Sequence, residues 1–188
     1  MGTLGWIILG AIVVIVLLVI VSYNRLVTLR QAVSQAWADI SVQLKLRHDL
    51  IPNLVETVKG YAAHERGTLE AVVQARNAAA AASGPAAQAQ AENMLTGALR
   101  QLFALAEAYP DLKANQNFLS LQSELSDVEN KIAAARRFFN NAVSEYNASI
   151  QQFPAVILAG PLGFQPRTFF ELDEGERAAV NAAPQVKF

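Results

Sequence analysis

A chain of 188 residues is long enough for one domain with a sizeable core, and its net charge of −1 gives no reason to expect nucleic acid as a partner. Cysteine is absent, which excludes structural disulfides, thiolate metal sites, a cysteine nucleophile and a lipoprotein-type anchor. Abundant alanine, set against seven Pro and ten Gly, favours helix throughout.

The first element is the run LGWIILGAIVVIVLLVIV, residues 4–21, with no charge and no proline. About 20 apolar residues cross a bilayer core. A cleaved signal peptide needs a basic start, a shorter apolar run and a small-residue cleavage site. Here MGTLG carries no side-chain charge, the run is long and SYNR follows it, so an uncleaved transmembrane anchor over 1–21 is expected. No polar face exists in the run, which argues against the buried helix of a soluble core. Trp6, Tyr23 and Arg25 are the candidate membrane-interface anchors. Arg25 and Arg30 both follow the span, so the positive-inside rule puts the body in the cytoplasm.

Four helical stretches are expected over residues 22–153. The first, about 22–47, carries Leu26, Leu29, Val33, Trp37, Ile40 and Leu44 at helical spacing, and no breaker separates it from the span. The second is read as one helix from about 50 to 82, with Asp49 as N-cap, Pro52 in the first turn, and SGP at 83–85 as its end. The third, about 86–108, presents Leu95, Leu99, Leu102 and Leu105. The fourth shows the most regular stripe, from Phe118 through Leu125, Ile132, Phe139 and Tyr146 to Phe153. Short connections make consecutive helices antiparallel. The expected fold is therefore all-α: a transmembrane helix continuous with an antiparallel bundle of four long helices.

The tail, 154–188, begins PAVILAGPLGFQPRTFF, which is apolar and Phe-rich but too interrupted by Gly and Pro to span a membrane. Two readings are open: a strap over the bundle end, or a lipid or subunit contact made by Phe153, Phe164, Phe169 and Phe170. The remainder is polar, with a short helix near 173–181.

Residues 48–65, HDLIPNLVETVKGYAAHE, hold nearly every catalytic residue type. On a helical wheel Leu50, Ile51, Leu54, Val55, Val58 and Tyr61 share one face, while Asp49, Asn53, Glu56 and Lys59 lie opposite with His48 beside them. Most of this set is thus a solvated face. His48 and His64 fall on nearly opposite sides and cannot share a metal, and no His-Glu-x-x-His pattern is present. On one continuous helix Glu65 and Arg76 fall within the apolar stripe, where a charge needs a partner. They are the candidate buried interhelical charges, with Arg30, Arg47 and Arg136 as partners for Glu65 and Glu124 and Glu129 for Arg76. There is no phosphate loop, dinucleotide fingerprint, nucleophile elbow or repeated Glu-x-x-His, so neither catalysis nor a cofactor or metal is expected.

The stretches YNRLVTLR (23–30), AWADISVQLKLRHDLIPNLVETVKGYAAHE (36–65), LEAVVQAR (69–76), FNNAVSEYNASIQQFP (139–154) and GFQPRTFFE (163–171) together resemble the LemA family of bacterial membrane proteins. The resemblance implies a single-pass anchor in the bacterial cell membrane followed by long antiparallel helices, and it implies no catalytic residues. The expected role is a membrane-anchored scaffold, a homo-oligomer that organises or remodels membrane lipid. A tethered adaptor docking another envelope protein, such as a protease or stress-response component, is the alternative.

Overall fold

The computed structural model describes residues 2–171. Among these residues the chain is all-helical, with no strand. The order is α1 (Thr3–Lys59), α2 (Arg66–Ala81), α3 (Pro85–Ala106), α4 (Pro110–Lys113), α5 (Gln116–Gln151) and α6 (Ala155–Ala159). Two compact units form. One takes the described residues up to Ala38 together with Arg137–Thr168; the other takes Asp39–Arg136 together with the described residues from Phe169.

In the first unit α1 begins as the apolar run, every residue of it exposed, and is long and apolar enough to cross a membrane. The exposure ends abruptly: Val21 is 64% accessible and Ser22 9%. From there Leu26, Val33 and Ala36 are buried on α1, and Phe139, Val143, Tyr146 and Ile150 on α5. Trp37 packs on Phe139 with ring centroids 5.5 Å apart.

In the second unit Ile51, Leu54 and Val58 of α1 share a core with Leu69 and Val72 of α2, Leu95, Leu99 and Leu102 of α3, Leu112 of α4, and Phe118 and Leu125 of α5. Helices α2 and α3 pack on each other, joined by three residues in which Gly84 takes φ +83°. Asn115 caps α5, its side-chain oxygen accepting from the Phe118 N–H at 3.0 Å.

The expected second helix, 50–82, does not exist as one piece. Helix α1 continues past Asp49, which is no N-cap, and contains Pro52 in its interior. The chain breaks instead at Gly60–Glu65, where Tyr61 and Ala62 both donate to the Val58 carbonyl. Proline normally costs a helix about 3 kcal/mol, partly because the carbonyl four residues back loses its N–H donor. Here that carbonyl belongs to His48, and Arg76 Nε donates to it at 3.2 Å. A side chain from α2 thus replaces the missing backbone donor. The short helix expected near 173–181 lies outside the described residues.

Candidate functional site

The polar interior of the second unit is built from three positions that fall within apolar stripes on two helices. On α1 the stripe Ile40, Leu44, Arg47, Ile51, Leu54, Val58 steps by three and four, and Arg47 occupies one of its places. On α3 the stripe Gln88, Glu92, Leu95, Leu99, Leu102 does the same, with Gln88 and Glu92 opening it. Helical geometry turns these three side chains inward along with their apolar neighbours.

They meet there. Arg47 Nη1 donates to Glu92 Oε2 at 2.9 Å, with side-chain exposures of 2% and 6%. Arg47 Nη2 donates to Thr96 Oγ1 at 2.8 Å and pairs with Glu129 Oε1 of α5 at 2.6 Å. The second carboxylate oxygen, Glu92 Oε1, lies 2.7 Å from His48 Nε2 and 2.9 Å from Gln88 Nε2. A carboxylate only accepts, so His48 Nε2 carries a hydrogen toward Glu92. Gln88 Nε2 also donates to the Ala79 carbonyl of α2 at 2.9 Å. One network thus joins α1, α2, α3 and α5.

Burial alone would raise the pKa of Glu92. The His48 hydrogen bond, the Arg47 charge and the Gln88 donor outweigh it and hold the carboxyl below the ordinary glutamate range. The group is therefore ionised and paired, which is the condition for a buried carboxylate to be tolerated. A groove of about 280 Å³ lies over His48, lined by Ser41, Leu44, Lys45, Asp49, Arg76 and Gln88 among others. Lys45 is engaged with Asp49 at 2.6 Å, and Arg76 with the His48 carbonyl and with Asn77. The Lys45 bond holds the Asp49 carboxyl below its usual range. Among the described residues no three His, Cys, Asp or Glu side chains gather so as to hold a metal ion. The cluster ties groups on four helices to one another.

The residues singled out in the sequence fall elsewhere. Glu65 and Arg76 are half-buried, and Arg76 meets the edge of the Arg47–Glu92 network through the backbone carbonyl of His48. Glu65 sits at the N-cap of α2 and accepts from the Tyr109 hydroxyl at 3.3 Å. The break at Gly60–Glu65 removes the continuous stripe on which both were placed. His48, set by the helical wheel on the polar side, is buried, whereas Asp49, Asn53, Glu56 and Lys59 are exposed as expected. The spacing of Arg47 and Glu92 within their stripes was the signal that could have found them. Trp6, Tyr23 and Arg25 are exposed along α1. Phe153 and Phe169 are exposed, and Phe164 and Phe170 are buried. Phe164 lies edge-on to Tyr23 with centroids 5.8 Å apart, under the Arg30 guanidinium at 5.1 Å.

A membrane-length apolar helix near the N-terminus fits a helical membrane protein. The sequence profile of the LemA family matches residues 36–188, and the chain belongs to that family. Relatives include magnetosome protein MamQ 2 of Paramagnetospirillum magneticum, 24% identical over 86% of this chain and 69% of the relative. Magnetosome protein MamQ of Magnetospirillum gryphiswaldense is 24% identical over 85% and 68%. Protein LemA of Metamycoplasma hominis is 27% identical over 85% and 74%.

Proposed function

We propose that this chain is a non-enzymatic, membrane-anchored helical scaffold that self-assembles to organise or remodel the bacterial cell membrane. The observation that carries this reading is the passage of α1 from an exposed apolar run into a packed body with no loop between Val21 and Ser22. Small residues in the run, Gly5, Gly10 and Ala11, allow neighbouring spans to approach closely. In this proposal the helices pack as an antiparallel bundle, the protein crosses the membrane once, and Arg25 and Arg30 hold the body on the cytoplasmic side. Two of the relatives are magnetosome proteins by name, which agrees with a role at a membrane compartment.

The test is the mass of the full-length protein in mild detergent, measured by light scattering during size exclusion. A large oligomer of defined mass is expected. A monomer would count against self-assembly and turn attention to the adaptor reading. That second reading has one observation in its favour, a groove of about 630 Å³ lined by Val55, Lys59, Arg66, Leu69 and Val73 among others, at which another envelope protein could dock.

A further inference from the structure

From the geometry of the first unit we infer that the tip formed by residues 153–162 inserts into the interfacial layer of the same bilayer leaflet from which α1 emerges, as a second lipid contact beside the span. The inference rests on the reading of 3–21 as a membrane span.

The tip is apolar on its outer side. Residues 153–164, FPAVILAGPLGF, carry no charged side chain. Helix α6 turns Ala155 and Ala159 inward and Val156 and Ile157 outward. Phe153 is 78% accessible and Ile157 63%, and Val156 and Leu162 are also exposed. Isolated exposed apolar residues are ordinary; four on one short uncharged tip are not.

The tip is also held in place. Phe164 N–H donates to the Ala159 carbonyl at 2.9 Å, and Leu162 N–H to the Leu158 carbonyl at 3.0 Å. Gly163 makes the reversal at φ +74°. Beyond it the Tyr146 hydroxyl donates to the Gln165 carbonyl at 3.0 Å. Asn147 clasps the Arg167 backbone from both sides, at 2.8 and 2.9 Å. The exposed apolar surface is therefore a fixed feature of the fold.

Its height relative to the span is given by α1 itself. Phe139 faces Trp37, and Phe164 faces Tyr23, two residues beyond the last apolar residue of the run. From Phe139 helix α5 advances at about 1.5 Å per residue toward the span. Its end at Gln151, twelve residues on, thus lies near the level of Arg25, and the tip beyond it, through Phe164 against Tyr23, comes to the level of Ser22, which is buried one residue past the exposed Val21. An apolar surface at that level lies where headgroups meet acyl chains, the layer in which short apolar elements with aromatic residues settle. Continuity with the span makes lipid the occupant.

The chain has no cysteine, so single labelling sites need no background substitutions. Full-length Ile157→Cys, Phe153→Cys, Ser144→Cys and Ile12→Cys variants would carry an environment-sensitive fluorophore. They would be reconstituted in phosphatidylcholine–phosphatidylglycerol vesicles and quenched by acyl-chain nitroxides or by aqueous iodide. The expected result is a blue-shifted emission at Ile157 and Phe153, with lipid-nitroxide quenching several-fold above that at Ser144 and iodide quenching below it. Iodide quenching at Ile157 equal to that at Ser144, with Ile12 in lipid, overturns the inference and leaves the anchor standing. Protection at Ile157 from both quenchers also overturns it, in favour of a second copy of the chain covering the tip. Ile12 outside lipid removes the anchor reading and this inference with it.

Discussion

The Arg76 side chain supplies to the His48 carbonyl the hydrogen-bond donor that Pro52 cannot. This relationship explains how a helix crosses a proline without ending, and it couples two residues distant in sequence. Arg76→Ala should cost about 1–3 kcal/mol, the usual penalty for orphaning a buried acceptor. Pro52→Ala restores a backbone N–H at that place, so in the Pro52→Ala background the same arginine truncation should cost much less. A thermal double-mutant cycle measures this coupling; equal costs in both backgrounds would mean that the carbonyl needs no such donor.

Removing one partner of a buried ion pair leaves the other charge uncompensated. Glu92→Ala does so only in part, because Arg47 keeps Glu129: it should cost about 1.5–3 kcal/mol as Arg47 and His48 lose their shared acceptor. The double variant Arg47→Met, Glu92→Leu should recover most of that loss, because two apolar groups of similar volume need no desolvation. Chemical denaturation of the full-length protein in detergent gives both values.

The acid limb of stability should depend on Glu92. Its folded pKa lies below its unfolded value, 4.5, so the stability it contributes is fully present above that pH and is lost as pH falls through the folded value. Melting temperature should drop on acidification below pH 4.5, and Glu92→Gln should flatten the drop. Asp49 is also held low, by Lys45, but it is exposed, so Asp49→Asn should leave the profile nearly unchanged.

Two glycines near the tip should respond oppositely to alanine. Gly163, at φ +74°, has nothing near its missing Cβ, so Gly163→Ala should lose about 1–2 kcal/mol from backbone strain alone. Gly160 is helical, at φ −60° and ψ −57°, and also open, so Gly160→Ala should gain about 0.4–1 kcal/mol. Melting curves of the two variants decide it.

The long elements were legible because hydrophobic periodicity is a local property. Leu26, Val33, Ile40 and Leu44 mark the buried face of α1, and Phe118, Leu125, Ile132, Phe139 and Tyr146 mark that of α5. The break between α1 and α2 was not, since the rule that proline ends a helix knows nothing of Arg76, which arrives from 24 residues downstream of Pro52. The polar network was half legible. Arg47 and Glu92 stand in apolar registers, but Glu129 reaches Arg47 from a half-exposed position that no spacing marks. The burial of Phe164 against Tyr23 depends on a chain reversal at Gly163, and periodicity carries no information about where an irregular segment turns.

The junction at Val21 and Ser22 has a mechanical consequence. A shaft with no slack between its exposed apolar portion and its packed portion would, in the proposed topology, behave as a lever. A span leaning to match a thinner bilayer would carry Leu26, Val33 and Ala36 through the same angle, converting membrane thickness into the attitude of what packs on those three residues.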